Sequence, residues 1–300
     1  MKTYRKFILF SILATVLGLT FSCDVENTDQ FEPEYVVESY MYALEPLPEI
    51  RLSQTVGFGK PYNFEDQAIS NANVSVTLAG INSPDVEFRY LESAERGVYV
   101  PENNAHLVQP LRSYSLNITF PDDDAILRST TLVPDTFQIL TSTADSVVFG
   151  SSAQLEIDLS SSFYPGRQNI YVFSTESFEP TIENFTPFFG EFFDEEEDDI
   201  EDFRINESPP FNEENYDRNP DGSLTIKLPW IAVTFFGQNQ ISANAVDDNI
   251  YNFITSVTLQ TGGSTLSPGE IPNILDPIEG GVGIFGSYAR VTKMLYVKRQ

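Results

Sequence analysis

Ala72-Asn73-Val74-Ser75-Val76-Thr77-Leu78 alternates without a break. Val74, Val76 and Leu78 fall on one side of an extended chain, and Asn73, Ser75 and Thr77 on the other. That period of two is the mark of a half-buried β-strand. Similar segments lie on both sides. Tyr35–Tyr42 is rich in β-branched and aromatic residues, and Ile50–Val56 alternates. Phe88–Leu91, Gly97–Val100 and Tyr114–Phe120 follow, separated by Gly, Pro, Asn and Asp turns. Short strands punctuated in this way predict a sandwich. Residues 34–133 read as one immunoglobulin-like or transthyretin-like β-sandwich module.

A second β-rich region spans 134–300. Its clearest strands are Ser146–Phe149, Gln154–Leu159, Asn169–Ser174 and Ser223–Leu228, with strand character again from Val282 to Val297. One helix is expected after Asp247-Asp248, whose charges suit a helix N-terminus. Ile250, Phe253, Ile254 and Val257 recur there at helical spacing, and Gly262-Gly263 closes the run. Between the strands lies an acidic, Phe-rich insertion, 178–222, without strand alternation. The fold class is mainly β.

The N-terminus carries a different signal. Lys2, Arg5 and Lys6 precede an apolar run from Phe7 to Phe21. At about 15 residues it is shorter than a membrane-spanning helix, and it matches a secretory signal. The run ends in Leu19-Thr20-Phe21-Ser22-Cys23, which resembles a lipoprotein cleavage box. We therefore expect a signal peptide at 1–22, a lipidated tether at 23–33, and palmitate-type acyl chains on Cys23. At about 0.8 kcal/mol per buried CH₂, two or three chains hold a protein on a membrane where one does not.

Composition narrows the function classes. The 300-residue chain has a net charge of −27, and removing 1–22 takes away three cations and no acid, leaving −30. Such a charge argues against nucleic acid, which needs a cationic footprint. It equally disfavours adsorption on anionic lipid. With Cys23 as the one cysteine and His106 as the one histidine, an internal disulfide, a thiol nucleophile and a multi-histidine zinc site are excluded. His106 reads as a surface or packing residue.

Three motifs invite chemistry, each with a plainer reading beside it. Asp217, Asn219 and Asp221 before Gly222 form a fragment of a calcium loop, but Leu228 stands where the closing Glu belongs. An ordinary hairpin turn is the favoured alternative. Phe192, Phe193, Asp194, Glu195 and Glu196 combine aromatics with carboxylates and are the candidate partner-binding residues. A solvated acidic run competes with that reading. Asp145-Ser146-Val147 resembles an O-glycosylation acceptor. The Ser-nucleophile, zinc-protease and phosphate-loop motifs are all missing.

Several segments together resemble a Bacteroidota lipoprotein family called domain of unknown function 4249. They are the cleavage box, Tyr35–Tyr40, Arg51-Leu52-Ser53, Ile69–Val76, Gly97-Val98-Tyr99 and Tyr114–Ile118. The most specific is Ile278-Glu279-Gly280-Gly281-Val282-Gly283-Ile284-Phe285-Gly286-Ser287-Tyr288. Its glycines read as a packing device more readily than as a ligand loop. The resemblance implies an outer-membrane, cell-surface lipoprotein, often associated with TonB-dependent transporters. The expectation is a non-enzymatic protein with no resident cofactor, calcium aside, that binds a ligand or an outer-membrane β-barrel. Two alternatives stand: an accessory subunit of an outer-membrane assembly or secretion machine, and a carbohydrate-active enzyme with paired carboxylates.

Overall fold

A computed structural model describes residues 31–142, 145–151, 155–260 and 276–300, with backbone only at 258–260. The expected signal and Cys23 lie outside these residues. Residues 34–300 cohere as one unit. Its first strands are β1 (Tyr35–Tyr42), β2 (Ile50–Gln54), β3 (Asn73–Leu78), β4 (Val86–Glu92), β5 (Val98–Pro101), β6 (Ser113–Phe120) and β7 (Asp123–Leu132). In β3, Val74, Val76 and Leu78 are buried, and Val74 and Val76 face Ile118 and Leu116 of β6. A short helix, α1 (Phe64–Gln67), joins β2 to β3. The Asn63 side chain caps it by accepting the Asp66 N–H.

The later strands are β8 (Ile139–Ser142), β9 (Ser146–Val148), β10 (Leu155–Leu159), β11 (Ile170–Ser177), β12 (Ile205–Glu207), β13 (Phe211–Asn212), β14 (Leu224–Leu228), β15 (Gly237–Val246) and β16 (Val282–Lys298). Two helices join them, α2 (Pro187–Phe192) and α3 (Asp248–Gln260). The mainly β fold is therefore as expected. The main sheet runs β12-β11-β15-β16-β1-β2-β5-β4-β3-β6-β7, with β13 beside β11 and β9 beside β16. A smaller sheet, β14-β10-β8, packs over its second half. Among the described residues no helix is long and apolar enough to cross a bilayer.

Two large apolar clusters fill the interior, with a third, smaller one of Ile170, Val172, Val246, Ile250 and Ile284 at the start of α3. The first draws on residues 37–133 plus Ile278 and Phe285. The second draws on residues 137–297 and includes Leu155, Ile157, Phe173, Ile226 and Leu295. Ile278 and β16 aside, the first stops at Val133 and the second starts at Phe137; β16 serves both, since Phe285 enters the first, and Ala289, Leu295 and Val297 enter the second. β16 lies antiparallel to β15 and parallel to β1, pairing Val37 with Gly283 and Tyr42 with Tyr288. The outermost strand of the first half, β7, turns back to the same seam. Arg128 and Glu279 exchange backbone hydrogen bonds, and the Ser129 hydroxyl donates to the Pro277 carbonyl.

The glycine motif is this seam. Gly283 has φ +113°, and a Cβ there would lie 2.1 Å from the Val37 carbonyl oxygen. At Gly286 a Cβ would lie 2.5 Å from Ile250 of α3. Gly283 needs glycine because the β1 backbone occupies the space, and at Gly286 the Ile250 side chain would have to move. The expected helix forms with Asp247 as its N-cap. One Asp247 carboxylate oxygen accepts the Ile250 N–H at 2.9 Å, and the other accepts the Thr131 hydroxyl at 2.5 Å. Thr131 is also 2.5 Å from the Ser287 hydroxyl. Asn249 donates to the carbonyls of Thr130 and Phe285. Asp247 is 1% exposed, and burial pushes its carboxyl up to about 6 although Thr131, Ile250 and Ser287 stabilise the charge.

Candidate interaction surface

The insertion contains two strands that its sequence does not announce. β12 pairs with β11 through Ser174–Glu207, Thr175–Asn206 and Glu176–Ile205, and β13 pairs with its other end. Pairings of two or three residues are too short to show periodicity. Phe211 stacks on Phe173 with ring centroids 5.1 Å apart. A buried polar knot fastens the far end. Glu213 accepts from the backbone and side-chain N–H groups of Asn169, and its Oε2 pairs with Arg218 at 2.8 Å.

The aromatics divide into two sets. Phe185 is buried against Phe235, with centroids 4.5 Å apart, and Phe193 and Phe203 pack around it. Phe193, expected beside Phe192 as a contact residue, therefore belongs to the inner set. The outer set is Phe188, 46% exposed, and Phe192, 69% exposed, whose rings touch on α2. Beside them a cavity of about 300 Å³ is lined by Phe188, Phe189, Pro209, Leu228, Pro229 and Ile231, with Glu207 among its polar residues. Ile231 is 50% exposed and is held over the cavity by its carbonyl, which accepts from Asn206. It lies beyond 178–222 and went unmarked because one apolar residue after Pro229-Trp230 carries no pattern.

The acids turn beside this surface. Asp194 accepts the Glu196 N–H, and the Asp198 carboxylate accepts the Asp194 N–H. Glu195, Glu196, Glu197, Asp198 and Asp199 then line a second, open groove of about 760 Å³ with Phe193 and Ile182. The insertion's cations are both engaged: Arg204 pairs with Glu176 and Glu201, and Arg218 with Glu213.

The other sequence candidates take structural positions. Asn219 and Asp221 build a turn. The Gly222 N–H donates to the Asn219 carbonyl, and Asp221 accepts from the Ser223 N–H and hydroxyl. The Arg218 guanidinium donates to the Gly222 carbonyl, and Asp217 is exposed. Among the described residues no group of three or more His, Cys, Asp or Glu side chains converges as metal ligands do. His106 packs on Phe88 and bonds the Tyr114 hydroxyl at 2.9 Å, and burial lowers its pKa. The Ser146 hydroxyl is buried in β9, with no hydrogen-bond partner among the described residues.

A groove of about 860 Å³ over β3 and β4 holds two carboxylates, Glu87 and Glu92. Burial tends to raise Glu92. Hydrogen bonds from Gly97, Ser70 and Asn71 outweigh it and hold the group below its ordinary value. A general acid needs the opposite shift.

The family model described as "Domain of unknown function (DUF4249)" matches residues 20–294. No curated protein matches the chain. Among solved structures it is similar to trypsin-activated alpha-2-macroglobulin from Escherichia coli, at 9% identity and a TM-score of 0.24, over 89% of this chain and 16% of that one. A tetra-tandem repeat from the extending region of a large adhesion protein gives 8% identity and 0.22, over 88% and 48%. The chicken CNTN1 FN1–FN3 domains give 9% and 0.24, over 71% and 60%. The chain thus spans less than two thirds of each. These scores carry no argument about fold or function.

Proposed function

Because this chain belongs to the family described as a domain of unknown function (DUF4249), we propose that it is a lipoprotein anchored through Cys23 at the outer membrane, facing the cell surface. It acts by association with an outer-membrane β-barrel such as a TonB-dependent transporter, not by bond chemistry. The observation that carries this reading is the surface over α2. Phe188, Phe192 and Ile231 stand open to solvent beside an apolar cavity, on an element fastened to the sheet by β12, β13 and Glu213. Contiguous exposed apolar groups on a rigid support mark interaction sites. Aromatic anchors contribute most where a partner desolvates them.

The anchor reading rests on the cleavage box and the family resemblance. Surface protease accessibility on intact cells tests it. Wild-type protein should be cleaved, and Cys23→Ala should leave the membrane fraction. Identical fractionation of the two, with the wild type protected, would sink the surface anchor. Affinity purification in mild detergent tests the partner. A β-barrel should co-purify with the wild type and be lost with Phe192→Ser plus Ile231→Ser. A barrel retained by that double variant would move the interface elsewhere.

A further inference from the structure

The nine residues after β2 break with the rest of the chain. Thr55-Val56-Gly57-Phe58-Gly59-Lys60-Pro61-Tyr62-Asn63 carries one cation and no acid, in a protein of 44 acids and 17 cations. The Lys60 N–H donates to the Gly57 carbonyl at 3.1 Å, and Gly59 has φ +76°, the left-handed central position of a type II turn. That turn lifts Phe58 clear of the body. Phe58 is fully exposed, the most exposed large apolar side chain among the described residues, and Tyr62 is exposed four residues on. The Tyr62 hydroxyl shares a hydrogen bond with the Ser53 hydroxyl of β2 at 3.0 Å, which holds the loop on the sheet.

The loop leaves the body where the expected tether enters. The Thr55 N–H donates to the Glu34 carbonyl, and the Glu34 N–H donates to the Thr55 hydroxyl. Ten residues, 24–33, join Cys23 to Glu34. Such a length reaches about 40 Å at full extension and ~20 Å as a flexible coil. β1 then runs about 25 Å away from this end. At its far end the Leu44 N–H bonds the Val108 carbonyl, and Pro46 bridges Leu107. A lipid on Cys23 would therefore hold Phe58 nearer the bilayer than Leu107.

We infer that the turn at Phe58 dips into a zwitterionic lipid surface, with Phe58 at the top of the acyl chains and Lys60 and Tyr62 among the headgroups. This rests on the reading of Cys23 as the anchor, and it gives the anchored protein a fixed orientation. Aromatic side chains with one wet end favour the boundary between headgroups and acyl chains. Anionic lipid is the wrong surface. Glu34, Glu65 and Asp66 flank the loop, and Asp123 accepts from Tyr35 at the start of β1. Contact therefore comes from apolar insertion and not from charge attraction. A single turn holds a bilayer only weakly from solution. The anchor makes the contact intramolecular, at a high effective concentration, so a weak one suffices. A protein partner or a second copy seated on Phe58 would have no need of a loop placed beside the tether.

The test couples the chain from Cys23 onward, through its one thiol, to a maleimide lipid in phosphatidylcholine vesicles. Phe58→Trp and Leu107→Trp each place an indole at an exposed position, with Trp230 common to both and to the wild type. Plain vesicles are compared with ones brominated near the top of the acyl chains, which quench a tryptophan that enters them. The emission added by Phe58→Trp should shift to the blue and fall about twofold on bromination, as for a side chain about 5–10 Å into the boundary. That added by Leu107→Trp should not change. Phosphatidylglycerol in the vesicles should lessen the quenching. Both substituted side chains are exposed, and unchanged melting temperatures confirm intact folds. Emission from Phe58→Trp that stays unquenched overturns the inference and leaves the loop to a protein partner or a second copy. Equal quenching of the two variants also overturns it, as does quenching that grows with phosphatidylglycerol. The maleimide lipid supplies the attachment whatever happens to Cys23 in the cell. A loop that stays in water therefore defeats this inference alone, and Cys23→Ala fractionating as the wild type defeats the anchor alone.

Discussion

The seam around α3 and the surface over α2 treat mismatched side chains in opposite ways. At the seam a carboxylate and two hydroxyls are buried, and each finds a partner within the cluster of Asp247, Thr131 and Ser287. At the surface Phe188, Phe192 and Ile231 are left in water, with no part of the described chain closing over them. The seam's polar groups, Asp247, Thr131 and Ser287, are each at most 1% exposed. A functional reading therefore attaches to exposed apolar side chains and not to the buried Asp247 carboxyl, even though perturbed pKa values often mark sites.

Substitutions at the seam should be costly. Gly283→Ala should give the largest effect, on the order of 4 kcal/mol or more. A Cβ there meets the Val37 carbonyl, and the backbone conformation disfavours any side chain. Urea denaturation measures it, and a loss below about 1 kcal/mol would show that β1 and β16 can separate cheaply. Asp247→Ala comes next, at ~3 kcal/mol, since it removes the helix cap at Ile250 and the buried acceptor of the Thr131 hydroxyl.

A pH dependence isolates the same carboxylate. Its pKa rises from 3.8 to about 6 on folding, so it stabilises the fold below pH 3.8, and that contribution is lost as pH rises through about 6. Two pKa units amount to roughly 3 kcal/mol, an upper figure for so buried a group. Asp247→Asn retains an acceptor for the Ile250 N–H and should remove the dependence. The stability of the wild type relative to Asp247→Asn should fall between pH 4 and pH 7. A flat difference would assign the titration elsewhere. At the other extreme, Phe192→Ser with Ile231→Ser should change stability by less than about 1 kcal/mol while abolishing partner capture. A large stability loss would mean these side chains belong to the core.

The two regions were also unequally legible. Alternation marked β3, β-rich composition marked β1 and β6, and helical spacing placed α3, while the ten-residue β7 and β15 carried no signal that was read as strand. The glycines of 280–286 pointed to close packing, but which backbone they approach is a long-range fact. Asp247 was read only as a favourable charge at a helix start. Its burial depends on Thr131 and Ser287, remote in sequence. Phe192 and Phe193 look alike in the chain, yet one faces solvent and the other packs on Phe185, a division set by the helical turn between them. Ile231 joins the site through the sheet, so no local pattern could mark it.

The parallel pairing of β1 with β16 also bears on how the chain is made. Val282–Tyr288 lies beside Val36–Tyr42, so the first strand gains its second neighbour only after nearly the whole chain has been synthesised. Pairings so distant in sequence close slowly. Until then β1 can pair only with β2 and offers an open edge on which another chain can add a strand. A ribosome-bound chain is therefore most prone to aggregate through Tyr35–Tyr42. A holding chaperone that covers Tyr35–Tyr42 would protect it until β16 arrives.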